Sequence, residues 1–327
     1  MTPNPLKAMS IGPSAYQSLY GDINKGKVHT VFRRVINIIW PDGNLSSISR
    51  VDVSNGPANI VTSLPVTSDF TLYGIEPGTL VWIDKNHTML NIGNLSVSLK
   101  NASLWDSPLA QFKAPLPARQ INENLVEVGR WVKHSHSNSS GLAELFPHLE
   151  ALRSGTYLPP AHTDPVTYLA GQAINRLLPA LRTADSTNIK ESAASLIGLG
   201  PGLTPSGDDY LAGLLLSLRI AARLSPESFQ HVQNDLSNTI IELAPRLTNN
   251  LSCQMLLLAA RGTGSELMEN MVLALFCASP TKNSLIQAAV DLSAVGASSG
   301  FDQLLGIMSG ANLYSDYILS KEGYPSN

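Results

Sequence analysis

At 327 residues the chain is comfortable for two domains, and 43% hydrophobic against 14% charged residues excludes a disordered polymer. A net charge of −3 with no polybasic run gives no stripe that would neutralise phosphates, so nucleic acid is not an expected partner. The N-terminal MTPNPLKAMSIGPSAY has no continuous apolar segment of the signal-peptide kind. The most apolar stretch, residues 211–224, is broken by Ser217, Arg219 and Arg223, so the expectation is a cytoplasmic protein without a membrane span.

Along residues 28–105 the apolar residues come in short runs separated by turn chemistry such as Pro41-Asp42-Gly43-Asn44 and Ser54-Asn55-Gly56-Pro57. The runs VHTVFRRVINIIW, LSSISRVDV, ANIVTSL, FTLYGI, TLVWID, MLNIG and LSVSL, spaced by roughly ten residues, predict a small antiparallel barrel or sandwich. After the proline-containing stretch 114–117 the period changes to three and four, in ENLVEVGRWV, VTYLAGQAINRLLPAL, NIKESAASLI and YLAGLLLSLRIAARL. Further helices are predicted over 227–243, 252–260, 266–276, 283–295 and 303–317. The expected fold is α+β: a β-rich N-terminal barrel or sandwich-like domain over residues 1–113, then an α-helical domain over 114–327.

The segment with the most chemistry is GLGPGLTPSGDDYLAG, residues 198–213, at the start of a long apolar helix. A glycine-rich loop lets backbone N–H groups approach a ligand, and the helix start adds partial positive charge, which suits a small anion. It lacks the Gly-Lys-Ser/Thr ending of a Walker A loop and does not follow a strand as a dinucleotide fingerprint should. Candidate ligand-binding residues here are Gly200, Gly202, Leu203, Thr204, Ser206 and Gly207, with Asp208 and Asp209 as candidate catalytic residues.

The pattern S-G-x-D-x-L-x-G from Ser206 to Gly213 recurs 93 positions later from Ser299 to Gly306, predicting two equivalent helix starts and adding Ser299, Gly300 and Asp302 to the candidates. A capping box would account for Ser206 with Asp209 and for Ser299 with Asp302, and Gly213 and Gly306 would then permit close helix crossing. Capping requires neither three preceding glycines nor adjacent carboxylates, so Asp208 and Asp209 are read as holding a cation such as Mg, orienting a substrate N–H, or acting as general base. No other cofactor is expected.

Other candidates are weaker. His134 and His136 in a Ser/Asn-rich loop lack further ligands and read as a solvated connection. Arg261 precedes a glycine and either closes a helix or meets an anion; Thr248, Asn249 and Ser252 either cap a helix or face the pocket. Cys253 and Cys277, in apolar helical patterns, read as buried thiols.

The segments GLGPGLTPSGDDYLAGLL, NNLSCQMLLLAARGTG and VGASSGFDQLLGIMSGA resemble the AllH family over roughly residues 110–320, the β-rich region matching only in general character. The family's first motif falls on Gly200, Gly202, Thr204, Pro205, Ser206, Gly207, Asp208 and Asp209, and its second on Gly296, Ser299, Gly300 and Asp302. At Ala297 the family pattern places a polar residue, often His. The resemblance implies one subunit of a three-subunit oxamate carbamoyltransferase, working with oxalurate, phosphate and carbamoyl phosphate in anaerobic purine breakdown through allantoin. The alternatives are a non-catalytic interaction subunit and a small-anion-binding subunit.

Overall fold

The computed structural model describes residues 4–21, 25–135, 141–277 and 282–323. It forms two compact units, Met1–Ala110 and Gln111–Asn327.

The first unit is a barrel. Its elements are β1 (Leu6–Ile11), α1 (Pro13–Tyr20), β2 (Lys25–Val31), β3 (Val35–Ile39), β4 (Leu45–Ser49), β5 (Asn59–Thr62), β6 (Leu80–Ile83), β7 (Met89–Ile92), β8 (Leu95–Ser98) and β9 (Ser103–Leu104). Neighbours run β5-β4-β3-β2-β6-β7-β8-β1, and β1 pairs back onto β5, which closes eight strands and selects the barrel over the sandwich. The short β9 continues the lane of β8 along β1, at Ser10 and Ile11. Three pairings, β4 with β5, β1 with β8 and β1 with β9, are parallel, so the sheet is mixed rather than antiparallel throughout. An eight-stranded barrel has an interior that side chains can fill. Here Ile36, Ile38, Ile48, Ile60, Val81, Leu90, Ile92 and Val97 are buried, together with Leu19 of α1 and Phe70.

Two predicted strands differ. VHTVFRRVINIIW is a hairpin, β2 turning into β3 through residues 32–34, because its two halves pair antiparallel, Val28 with Ile38 and Val31 with Ile36. FTLYGI is a turn of 3-10 helix at Phe70–Tyr73, since the Asp69 carboxylate accepts from the Thr71 N–H and Gly74 ends it in left-handed conformation.

The second unit is helical: α2 (Ala118–Ser135), a 3-10 stretch Gly141–His148, α3 (Leu149–Ser154), α4 (Pro165–Thr183), α5 (Ser186–Leu196), α6 (Ser206–Leu224), α7 (Pro226–Leu247), α8 (Asn250–Ala260), α9 (Glu266–Phe276), α10 (Lys282–Ser293) and α11 (Ser299–Lys321). Helices α6 and α11 lie at its centre, packed along one another. Between residues 206 and 222 only Arg219 escapes full burial, as expected of a helix apolar on all sides. Among the described residues no helix is long and apolar enough to cross a membrane.

Candidate functional site

The two copies of S-G-x-D-x-L-x-G start α6 and α11, and they repeat each other bond for bond. The Gly207 N–H donates to Leu199 O at 2.9 Å, and the Asp208 and Asp209 N–H groups to Pro205 O at 2.9 and 3.1 Å. At the second start Gly300 donates to Val295 O at 3.0 Å, and Phe301 and Asp302 to Ser298 O at 2.9 and 3.0 Å. The helices then cross backbone to backbone. A methyl on Gly213 would stand 2.1 Å from Gln303 O, and one on Gly306 would stand 2.0 Å from Tyr210 O. Tyr210 and Gln303 occupy the same place in the two copies, so each start packs on the other as the halves of an isologous contact do.

Neither aspartate caps its own helix. The N-cap positions are Pro205 and Ser298, without side-chain cap bonds, and the first-turn N–H groups are taken by backbone carbonyls. The carboxylates are thereby released for other partners, and they go separate ways. Adjacent positions on a helix point about 100° apart. Asp208 turns to α8: its Oδ1 accepts from the Gly198 N–H at 2.8 Å and its Oδ2 from Thr248 Oγ1 at 2.5 Å and Ser252 Oγ at 2.7 Å. Burial raises its pKa against the pull of those three donors. Asp209 turns to α11, where its Oδ1 accepts from Gln303 Nε2 at 2.7 Å. A cation bridging Asp208 and Asp209 has no place in this arrangement; the carboxylate that stands near Asp209 is Asp302.

Asp209 and Asp302 are equivalent in the two copies, and both are fully buried. Asp302 Oδ1 accepts from the Leu142 N–H at 2.7 Å, across 160 residues, while its Oδ2, the Oδ2 of Asp209 and Gln303 Oε1 make no full hydrogen bond among the described residues, although hydroxyls lie beside both carboxylates. Around them stand hydroxyls placed reciprocally: Ser299 and Thr204 beside Asp209, Ser206 and Ser298 beside Asp302. Thr204 and Ser299 bond each other at 3.0 Å. Burial pushes Asp209 up to about 7, with the Asp302 charge adding and Gln303, Ser299 and Thr204 opposing. Burial likewise pushes Asp302 up to about 6, against the Leu142 N–H and the Ser206 and Ser298 hydroxyls.

A buried oxygen left without a donor carries a desolvation cost of about 1–3 kcal/mol that a donor would relieve. Among the described residues the N–H groups of Gly200, Gly202, Leu203 and Thr204 donate to nothing, and Gly200 and Gly202 have φ of 118° and 99°. Asn249 steadies this loop: Nδ2 donates to Leu203 O at 2.9 Å while Oδ1 caps α8 through Leu251 and Ser252.

The remaining candidates lie elsewhere. Arg261 closes α8 in a turn with Gly262 at φ 85°, one helix length, about 18 Å, from Asn249. His134 is exposed at the end of α2 with its Nδ1 on Arg130 O, and His136 lies outside the described residues. Among the described residues no three His, Cys, Asp or Glu side chains form a metal-binding group. Cys253 and Cys277 are free thiols, half-buried rather than buried. Gln303 and the Leu142 N–H escaped the sequence reading; Gln303 stands inside the repeated motif at a variable position, and Leu142 lies far away in the chain.

Two family profiles match. One is described as oxamate carbamoyltransferase subunit AllH and covers residues 196–311; the other, the AllH family N-terminal domain, covers residues 7–104. The match therefore takes in the barrel specifically, beyond the general likeness expected of it, and its C-terminal part begins at the site rather than near residue 110. No solved structure matches the chain. With both halves matched and the repeated helix starts inside the matched region, the chain belongs to the AllH family of oxamate carbamoyltransferase subunits.

Proposed function

We propose that this chain carries the substrate site of a carbamoyltransferase that moves a carbamoyl group between the amide nitrogen of oxamate and phosphate, in the breakdown of purines through allantoin. The observations that support it are the under-satisfied buried acceptors on Asp209, Asp302 and Gln303 and the unused N–H donors on residues 200–204, a loop tied to the second helix start through Thr204 and Ser299. Oxamate, oxalurate and carbamoyl phosphate each have an anionic end and an N–H₂ or N–H end. Such a ligand places its carboxylate or phosphate on the loop N–H groups and its nitrogen toward the carboxylates.

In the synthetic direction the oxamate nitrogen attacks the carbamoyl carbon. The C–O bond to phosphate breaks with its electron pair, and phosphate leaves. The proton lost from nitrogen passes to the Asp209/Asp302 pair, whose raised pKa values suit general acid–base work near neutral pH. Loop N–H groups stabilise the charge that develops on oxygen. In the degradative direction the same steps run backwards from oxalurate and phosphate. The family description as a subunit supports a hetero-oligomer; the same reading has two further carbamoyltransferase subunits complete it in the cytoplasm.

The test uses the assembled complex. Asp209→Asn should lower kcat by about 10²–10⁴-fold with the assembly intact; near-normal turnover would overturn the assignment. A second reading, a subunit that binds partners or a small anion without catalysis, is favoured by one observation: Asp208, Gly207, Gly213, Gly300 and Gly306 all serve helix packing. It predicts full activity in Asp209→Asn and in Asp302→Asn.

A further inference from the structure

A cavity of about 270 Å³ opens between α2, α3 and the C-terminal half of α11. It is remote from the helix starts: Asp316, in its wall, is 14 residues along α11 from Asp302, about 21 Å. At its polar end sits Arg153, with its side chain only 11% exposed. Nη1 donates to Asp316 Oδ2 at 2.8 Å and to Asn312 Oδ1 at 3.0 Å, while Nη2 is met by Glu150. Arg182 reaches the same Asp316 oxygen at 3.7 Å.

The two carboxylates on Arg153 are unlike. Asp316 is 15% exposed and shared between two guanidinium groups, whereas Glu150 is 68% exposed and holds Arg153 from the solvent side. An ion pair with so exposed a partner contributes little to stability. If Glu150 swings out, two guanidinium groups face one carboxylate, and the cavity gains a single unbalanced positive charge at a largely buried donor. Glu150 thus occupies the place that an external carboxylate would take.

The rest of the lining fits a short apolar body. Leu125, Leu149 and Met308 supply the walls, and the half-buried Asn122 side chain makes no hydrogen bond among the described residues. Gly129, inside α2, faces the cavity, and a methyl built on it would meet no atom within 4 Å. A mid-helix glycine costs roughly 1 kcal/mol relative to alanine. No close contact explains this one; an open cavity does.

We propose that this cavity is a binding site for a small monocarboxylate with a short branched apolar body, whose carboxylate displaces Glu150 from Arg153. The probe is 4-methylpentanoate, titrated calorimetrically into the full chain up to about 10 mM, with 4-methylpentanamide as the neutral control. The expected result is saturable binding of the acid and none of the amide. Glu150→Gln, which removes the internal competitor, should bind the acid about threefold tighter or more, and Gly129→Leu, which fills the cavity, about tenfold weaker or more. Both changes lie at open positions, so a folded variant is expected and is checked by circular dichroism. No binding to wild type, equal binding of acid and amide, or undiminished binding by Gly129→Leu would each overturn the proposal.

Discussion

Gly213 rests on the backbone of Gln303, so that a methyl added to it would stand 2.1 Å from the Gln303 carbonyl oxygen. Backbone cannot swing aside as a side chain can, and α6 and α11 would have to separate. Gly213→Ala should therefore cost about 3 kcal/mol, at the upper end for overpacking, and Gly306→Ala, placed against Tyr210 O, about as much. Denaturant unfolding of the two single variants checks this. Equal stabilities of variant and wild type would mean that the crossing is looser than described.

Asp208 and Asp209 are neighbours with different work, and their substitutions should separate. Asp208→Ala leaves the Gly198 N–H and the Thr248 and Ser252 hydroxyls without their acceptor in a buried place. The expected loss is about 3 kcal/mol, or a fall in Tm of roughly 10 °C for a unit of this size. Asp209→Asn replaces a carboxyl that burial already favours in its neutral form, so it should fold at least as well as wild type at neutral pH. Melting curves side by side decide the matter.

Asn249 offers a finer separation. Asn249→Asp keeps the oxygen that caps α8 but loses the Nδ2 donation to Leu203 O, so stability should hold while the loop 200–204 loosens. The expected outcome is a Tm within about 2 °C of wild type and a KM raised several-fold for the anionic substrate. Asn249→Ala loses both bonds and should cost about 1 kcal/mol in addition. An unchanged KM in Asn249→Asp would remove the loop from substrate binding.

The helices were legible because their apolar periods are long and their ends are punctuated. The predicted 227–243 became α7 and 266–276 became α9, with boundaries moving by a few residues at frayed ends. The barrel was legible as runs, but its closure was not. Closure depends on β1, LKAMSI, whose mixed sequence shows no clean alternation and whose pairing with both β8 and β5 is non-local. At the site, the repeated motif announced two equivalent starts. It could not announce that the two aspartates face away from their own helices, because the donors that hold them, Gln303 Nε2 and the Leu142 N–H, come from other segments. Sequence adjacency grouped Asp208 with Asp209; in the fold the two carboxylates are held by different segments, and the charge felt at Asp209 is that of Asp302.

That pairing has a pH signature in both stability and rate. Asp209 and Asp302 ionise near 7 and 6 in the folded chain, against 3.8 for an ordinary aspartate, so the folded state binds protons more tightly than the unfolded one. Their contribution to stability is then fully present below about pH 4 and is lost as pH rises toward 7. Asparagine cannot ionise, so Asp209→Asn and Asp302→Asn should match wild type near pH 4 and exceed it at pH 8, which denaturant unfolding at the two pH values will show. Activity should move the other way. A base that accepts the substrate proton must be ionised, so kcat/KM of the assembled enzyme should climb as pH passes through about 7. Opposed slopes, stability falling where activity rises, would mark a charge kept buried for its chemistry. Variants no more stable than wild type at pH 8 would show that the charge is already compensated within the fold and leave the pair without that role.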